Sequence, residues 1–583
     1  MAKIMKLFLI FVLVISLVES TLIPRQTENG DACARISVDY KKSKGDPSFS
    51  AKYSDVKECL DSIPYNRELA EKIIENVKKT LQGFYVFLSQ AKEEPQPGFS
   101  FKAVDLIKEL DALLLKDYTS DYRFMTDINN LFSELKDAHL NFISLCYNHF
   151  IFKQQLYLYS VINKDDIQII KIFDDEIDHS TVDCEVTHID GRPSMEVIKE
   201  FADTINKSKD AGARFNIALT ALKINENGGH NISSSKFTIR NSLPEKSSID
   251  YSLTGVVVIP NVMPSDSDFV NQMFELQKGF KLLEDKGVQK LIFDFNENGG
   301  GYVDLALFFV FLLFPNSSPS FHNDMVVSEL SRALFDAATS RSIHENSIDT
   351  TVITPPPSFS IESLTRWAVD TANEVTDSSS NFDIFAFKDP LADRHFHTVE
   401  EFIGNNTFVR GGTPTRYTTK FVDRHSQKIN ILTKLLAGNF KEYKWMSEDM
   451  IILTNGNCGS SCSLITQRMA EMFNVKTVGV GGYKDTPLSY ASFPGGMVYL
   501  DHALNIELEG LELFKNETLK DSLPSPFNNT VIMSFTLREV YDVNDDRVLE
   551  FTYKPAKYRL YYDEQSARDP SKLWLKVAKI FEQ

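Results

Sequence analysis

The sequence predicts an α/β fold, and three observations carry that prediction. Lys290–Phe295, Met450–Thr454 and Thr477–Val480 are short apolar runs without polar alternation, as strands covered on both faces of a parallel sheet require. The first two lead into glycine-bearing turns, Asn298–Gly301 and Asn455–Gly459, each followed by a helix-like stretch. An amphipathic helix, Phe269–Leu283, precedes the first run, which gives the alternation of an α/β layer.

The chain has 583 residues, a length that predicts two to four domains. With 43% hydrophobic and 24% charged residues the composition is that of a globular protein. The formal charge is -18, from 80 acidic against 62 basic residues. That field repels phosphate backbones, so nucleic acid is excluded as an expected partner.

From the N-terminus, Lys3 and Lys6 precede the apolar run Leu7–Val18, and Val18 and Ser20 mark a cleavage site. Residues 1–20 read as a signal peptide, the protein as secreted, and the run as too short for a span of about 20 residues. Leu305–Phe314 is shorter still and reads as a buried helix, so no membrane span is expected after signal removal. Residues 21–149 are expected to form a helical domain: Leu69, Ile73, Ile74 and Val77 fall at helical spacing, as do Val104, Ile107, Leu110 and Leu114. Residues 150–250 are β-rich, with strand-like runs Phe150–Val161, Ile167–Ile172 and Val186–Ile189 and a helix after Pro193. Residues 251–322 and 441–583 are the two parts of the α/β core. Residues 323–440, which include Pro355–Pro357 and Ser378–Ser380, read as an insertion.

Six cysteines, an even number, suit an oxidising compartment. Cys33 with Cys59 is the favoured bridge, while Cys458 and Cys462 sit one helical turn apart and are open to pairing or to remaining free. Asn206, Asn231, Asn316, Asn405, Asn516 and Asn528 begin glycosylation sequons. No CxxC pair or HExxH occurs, so no metal or other cofactor is expected.

Three segments carry reactive chemistry. Asp294-Phe-Asn-Glu-Asn-Gly-Gly-Gly301 joins strand to helix, and its glycines free amide N–H groups to face an anion. A phosphate loop is the rival reading, but no lysine follows to meet a phosphate. In Thr454–Ser463 a serine stands between strand end and helix start, where unpaired amides and the helix dipole favour an oxyanion. Taken alone, that serine reads first as a helix cap. The third segment, Lys136-Asp-Ala-His139-Leu-Asn-Phe142, offers one of eleven histidines.

Together these segments resemble the tail-specific (C-terminal processing) serine peptidases, and more narrowly the secreted relatives of the chlamydial protease-like activity factor. The matching residues are Asp294 with Asn298–Gly301, Phe314-Pro315, Gly459-Ser460, Val478–Gly482, Asp137-Ala-His139 and Leu549–Ala556, the last as a closing strand. The resemblance implies a crotonase/ClpP-like ββα-spiral core and a degenerate PDZ-like module over residues 150–250. It implies Ser460 as nucleophile, His139 as general base and a glutamate near the closing strand, where Glu550 fits best and Glu539 is the rival. The amides of Ser461 and of Gly299 or Gly300 then form the oxyanion hole. The adjacent Ser461 leaves the nucleophile ambiguous by one position. Many relatives use a serine–lysine pair, but no lysine follows Ser460 before Lys476, which favours the histidine version. Protein or peptide substrates follow from the resemblance; an inactive binding protein on the same fold is the alternative. Oligomeric state is not legible.

Overall fold

The computed structural model describes residues 31–44, 46, 49–150, 156–221, 238–240, 253–263, 269–315, 321–344, 380–423, 443–527, 530–542 and 546–583. The signal-peptide reading, Pro355–Pro357, Ser378, Ser379 and the sequons at Asn231, Asn316 and Asn528 lie outside these residues.

The chain forms two compact units. The smaller takes residues up to Asn66 together with Asp117–Met125. Its helices Ala32–Lys42 and Tyr53–Asp61 bring Cys33 and Cys59 to disulfide distance, with a Cα–Cα separation of 4.7 Å. Asp31 caps the first helix by accepting from the Cys33 amide at 2.9 Å.

The larger unit is built on a six-stranded sheet. In spatial order its strands are Tyr558–Leu560, Lys476–Val480, Met450–Thr454, Lys290–Asp294, Thr254–Val258 and Thr238–Arg240. All neighbours are parallel except the last pair. Alternate side chains of each apolar run face opposite ways, so both faces need cover. Phe293, Met450 and Ile452 point into a layer with the helices Phe269–Asp285, Val303–Leu313 and Ser461–Phe473. Ile292, Ile451, Leu453 and Val478 point the other way, against Leu573, Trp574 and Val577 of the helix Pro570–Ala578. Helix Val303–Leu313 is buried from Leu305 to Leu313, which explains a stretch apolar on all sides. Among the described residues no helix is long and apolar enough to cross a membrane.

A second, antiparallel sheet places Val531–Val540 between Asn141–Ser144 and Gly496–Leu500. The hairpin Leu156–Ile162 with Gln168–Asp175 packs on the helices Ser194–Thr204 and Ala211–Ala221 through Leu158, Ile170, Ile198 and Phe215.

One expectation is corrected. Leu549–Ala556 is not a strand: Leu549–Phe551 form a single 3-10 turn, and the edge strand comes later, at Tyr558–Leu560. Pro555 has no N–H to give a ladder. Glu550 and Lys554, both buried, are instead turned toward charged partners, Lys209 and Asp542.

Candidate active site

The glycine turn is pinned from its own sequence. Asp294 ends its strand and accepts from the Asn296 amide at 3.0 Å and the Trp574 indole at 2.6 Å; burial raises its carboxyl pKa. The fully buried Asn298 donates to the Ile259 carbonyl at 2.8 Å and accepts from the Gly300 amide at 2.9 Å. Its own carbonyl takes the Gly459 N–H at 2.9 Å, which ties this turn to the one bearing the serines. Glu297 adds a clamp, with one carboxylate oxygen on the Asn455 amide and the other on Asn457 at 2.7 Å. Gly300, at φ +101°, has no room for a side chain: a Cβ there would lie 2.7 Å from Ser460 Cβ and 2.6 Å from the Gly459 carbonyl.

Ser460 follows strand Met450–Thr454 and its turn, and heads helix Ser461–Phe473. Its backbone is at φ 49°, ψ -126°, a conformation that costs a non-glycine residue on the order of 1–3 kcal/mol. The Ser460 N–H donates to the Phe493 carbonyl at 2.7 Å. Its side chain makes no capping bond to the helix, so the reading of this serine as a cap fails. Instead Ser460 Oγ lies 3.3 Å from His139 Nε2. Ser461 is fully buried and its Oγ has no hydrogen-bond partner among the described residues. The Ser461 amide sits at the first helical position, where no intrahelical acceptor exists.

His139 arrives from the start of strand Asn141–Ser144. Its N–H donates to Asp137 Oδ1 at 2.9 Å, and its carbonyl accepts from Ser534 Oγ at 2.8 Å. His139 is 7% exposed, and its ring meets Phe493 edge-on at 5.5 Å between centroids. Burial pulls the imidazole below its ordinary pKa; Asp137 opposes this and Lys209 adds to it. His139 is therefore neutral, with an accepting nitrogen, over a wider acidic range than a free histidine.

The two glutamates are placed differently. Glu550 gives one oxygen to Lys209 Nζ and accepts the Gly495 N–H on the other at 2.7 Å. Burial pushes its carboxyl up to about 7, with Lys209 opposing and Asp137 reinforcing. His139 Nδ1 has no hydrogen-bond partner among the described residues, Glu550 included. Glu539 is committed elsewhere: both its oxygens meet Arg410 Nη1, at 2.7 and 2.8 Å, and Tyr541 also donates to it. Of the two glycine amides, that of Gly300 is spent on Asn298, whereas that of Gly299 has no acceptor among the described residues.

Phe493, Gly495 and Lys209 surround this pair, and the sequence reading did not reach them. The only signal was Pro494-Gly495-Gly496, a turn by composition with nothing to tie it to a histidine.

A scan of protein-family profiles finds no match, and neither does a search of curated proteins. Solved structures do resemble the chain. Mature CPAF complexed with lactacystin is 11% identical, at a TM-score of 0.48, over 88% of this chain and 98% of that one. Mature CPAF alone is 12% identical, at 0.47, over 88% and 96%. The photosystem II D1 C-terminal processing protease is 9% identical, at 0.32, over 85% and 94%. Similarity this low leaves the functional reading to the geometry around Ser460 and His139.

Proposed function

We propose that the protein is a secreted serine endopeptidase, with Ser460 as nucleophile and His139 as general base. The observation that carries this is a serine hydroxyl, on a strained turn and uncommitted to its helix, 3.3 Å from the Nε2 of a buried imidazole. A serine hydroxyl is a weak nucleophile and needs such a base. His139 Nε2 takes the Ser460 proton as Oγ bonds to the scissile carbonyl carbon, and the carbonyl oxygen becomes an oxyanion. The Ser461 and Gly299 amides are its donors in this reading. His139 then gives the proton to the leaving amine as the C–N bond breaks, and water releases the acyl group by the same steps in reverse. The wider reading includes a crotonase/ClpP-like core over residues 251–322 and 441–583, a PDZ-like module over residues 150–250, a helical domain over residues 21–149 and an insertion over residues 323–440.

Secretion is supported by the two cysteine pairs at disulfide distance, Cys33 with Cys59 and Cys458 with Cys462. The sequons then differ in what they offer. Asn516 is exposed, and its Oδ1 accepts from Thr518 N–H and Oγ, so its nitrogen stays available. Asn405 is exposed as well. Asn206 is partly buried and its nitrogen donates to Asn141 at 3.2 Å. Glycopeptide mapping of the secreted protein should find glycans at Asn516 and Asn405 and none at Asn206.

A fluorophosphonate probe tests the reaction itself. Mass-spectrometric mapping should place the adduct on Ser460, and His139→Ala should abolish it. Folded protein that takes no label would favour the alternative, an inactive ligand- or peptide-binding protein. The unpartnered Nδ1 is the observation on that side. With Nε2 accepting, Nδ1 carries the ring proton, and a buried donor without a partner costs about 1–3 kcal/mol.

A further inference from the structure

We infer that Asp137 is a positioning carboxylate for His139, holding its backbone by one hydrogen bond and presenting negative charge to Nδ1 from 4.0 Å. This rests on the peptidase reading above.

Asp137 is 1% exposed, and three donors converge on it. Tyr85 O–H and Thr536 Oγ each donate to Oδ2 at 3.0 Å, and the His139 N–H donates to Oδ1 at 2.9 Å. Donors alone surround it, as the ionised form of a carboxyl requires. A buried carboxylate is costly unless it is paired or fully hydrogen-bonded, and these contacts hold it two residues from the ring it faces. Oδ1 lies 4.0 Å from Nδ1, too far for a hydrogen bond and near enough for a strong field.

The other charged and titratable groups here are Glu550, Lys209 and Tyr85. Glu550 is held by Lys209 and the Gly495 amide, so its charge is offset where it sits. Burial, with Asp137 and Glu550 beside it, pushes the Tyr85 hydroxyl far above its ordinary pKa, so it stays a neutral donor. Lys209 acts on His139 against Asp137. Asp137 is thus the group around the imidazole that favours its protonated form. That form arises in the transition state, when His139 has accepted the serine proton.

Asp137→Asn keeps the size and an oxygen for the His139 amide but removes the charge. The imidazole pKa should then fall further. The acid limb of the kcat/KM–pH profile should move to lower pH, while the plateau of kcat drops on the order of 10²-fold with KM little changed. A merely structural residue would move the melting temperature and leave the limb in place. Asp137→Glu should recover the limb in part, because it keeps the charge. If Asp137→Asn does not fold, Asp137→Ser offers a hydroxyl acceptor to the same amide, is also uncharged, and should give the same profile. An unmoved limb with kcat within twofold of the parent overturns the inference. So does failure of both variants to fold, since the carboxylate would then serve the fold rather than the ring. Fluorophosphonate labelling of the unaltered protein keeps the two readings apart. Without label the peptidase reading falls; with label and an unmoved limb only the role of Asp137 falls.

Discussion

Replacing Ser460 with alanine should lower kcat by on the order of 10⁶-fold, and adding His139→Ala should cost little more. The two side chains act as a unit: the imidazole has nothing to deprotonate without the hydroxyl, and the hydroxyl is a poor nucleophile without the imidazole. Single and double variants should therefore converge on one residual rate, supplied by binding and the amide donors alone. Ser461→Ala is the control. That hydroxyl is fully buried and without a partner, so its loss should leave kcat within a few-fold while the Ser461 amide remains. The measurement is kcat on a peptide substrate for all four variants. A single-site loss much smaller at Ser460 than at Ser461 would move the nucleophile by one residue. Equal activity in all variants would remove it from this turn altogether.

The sheet was legible in the sequence because burial on both faces leaves a direct trace. Ile451, Ile452 and Leu453 face alternate layers and are all apolar, so no amphipathic alternation survives. The glycine turn was legible for a similar reason, since close backbone approach at Gly300 excludes a Cβ. The histidine left no comparable trace. His139 and Ser460 are 321 residues apart, and the pairing of Asn141–Ser144 with Val531–Val540 in the second sheet helps carry one toward the other. The resemblance of Asp137-Ala-His139 to a family pattern supplied what periodicity lacked. The surroundings of Asp137 were beyond reach: Tyr85 lies 52 positions away and Thr536 lies 399. The closing strand was misplaced because Leu549–Ala556 is rich in apolar and aromatic residues. Those residues pack as an irregular segment, with Phe551 against Phe87, while Glu550 and Lys554 find buried charge partners.

Gly495→Ala should inactivate the site while leaving the fold in place. Gly495 is at φ +54°, and a Cβ there would lie 2.1 Å from His139 Nδ1 and 2.5 Å from Cε1. No rotation of a methyl group relieves that overlap, so either the ring or the backbone must move by an ångström or more. The ring has little freedom, with Phe493 against its edge and Asp137 and Ser534 holding its backbone. Moving the backbone instead would weaken the Gly495 N–H bond to Glu550 and free a carboxyl beside the ring. Either way Nε2 leaves its place beside Ser460 Oγ. A displacement of about 1 Å costs roughly 10²-fold, and full loss of the base would match His139→Ala, on the order of 10⁶-fold. The expected fall in kcat is therefore between those limits, with fluorophosphonate labelling slowed in proportion. Gly191→Ala is the matched control, at φ +77° with nothing within 4 Å of the added Cβ. It carries the same strain of a left-handed alanine, about 1–2 kcal/mol, without touching the imidazole. Equal labelling rates for the two variants would show that strain, and not the contact with His139, accounts for the effect. A fall confined to Gly495→Ala, at matched melting temperatures, would place this glycine as the wall that aims the histidine at its serine.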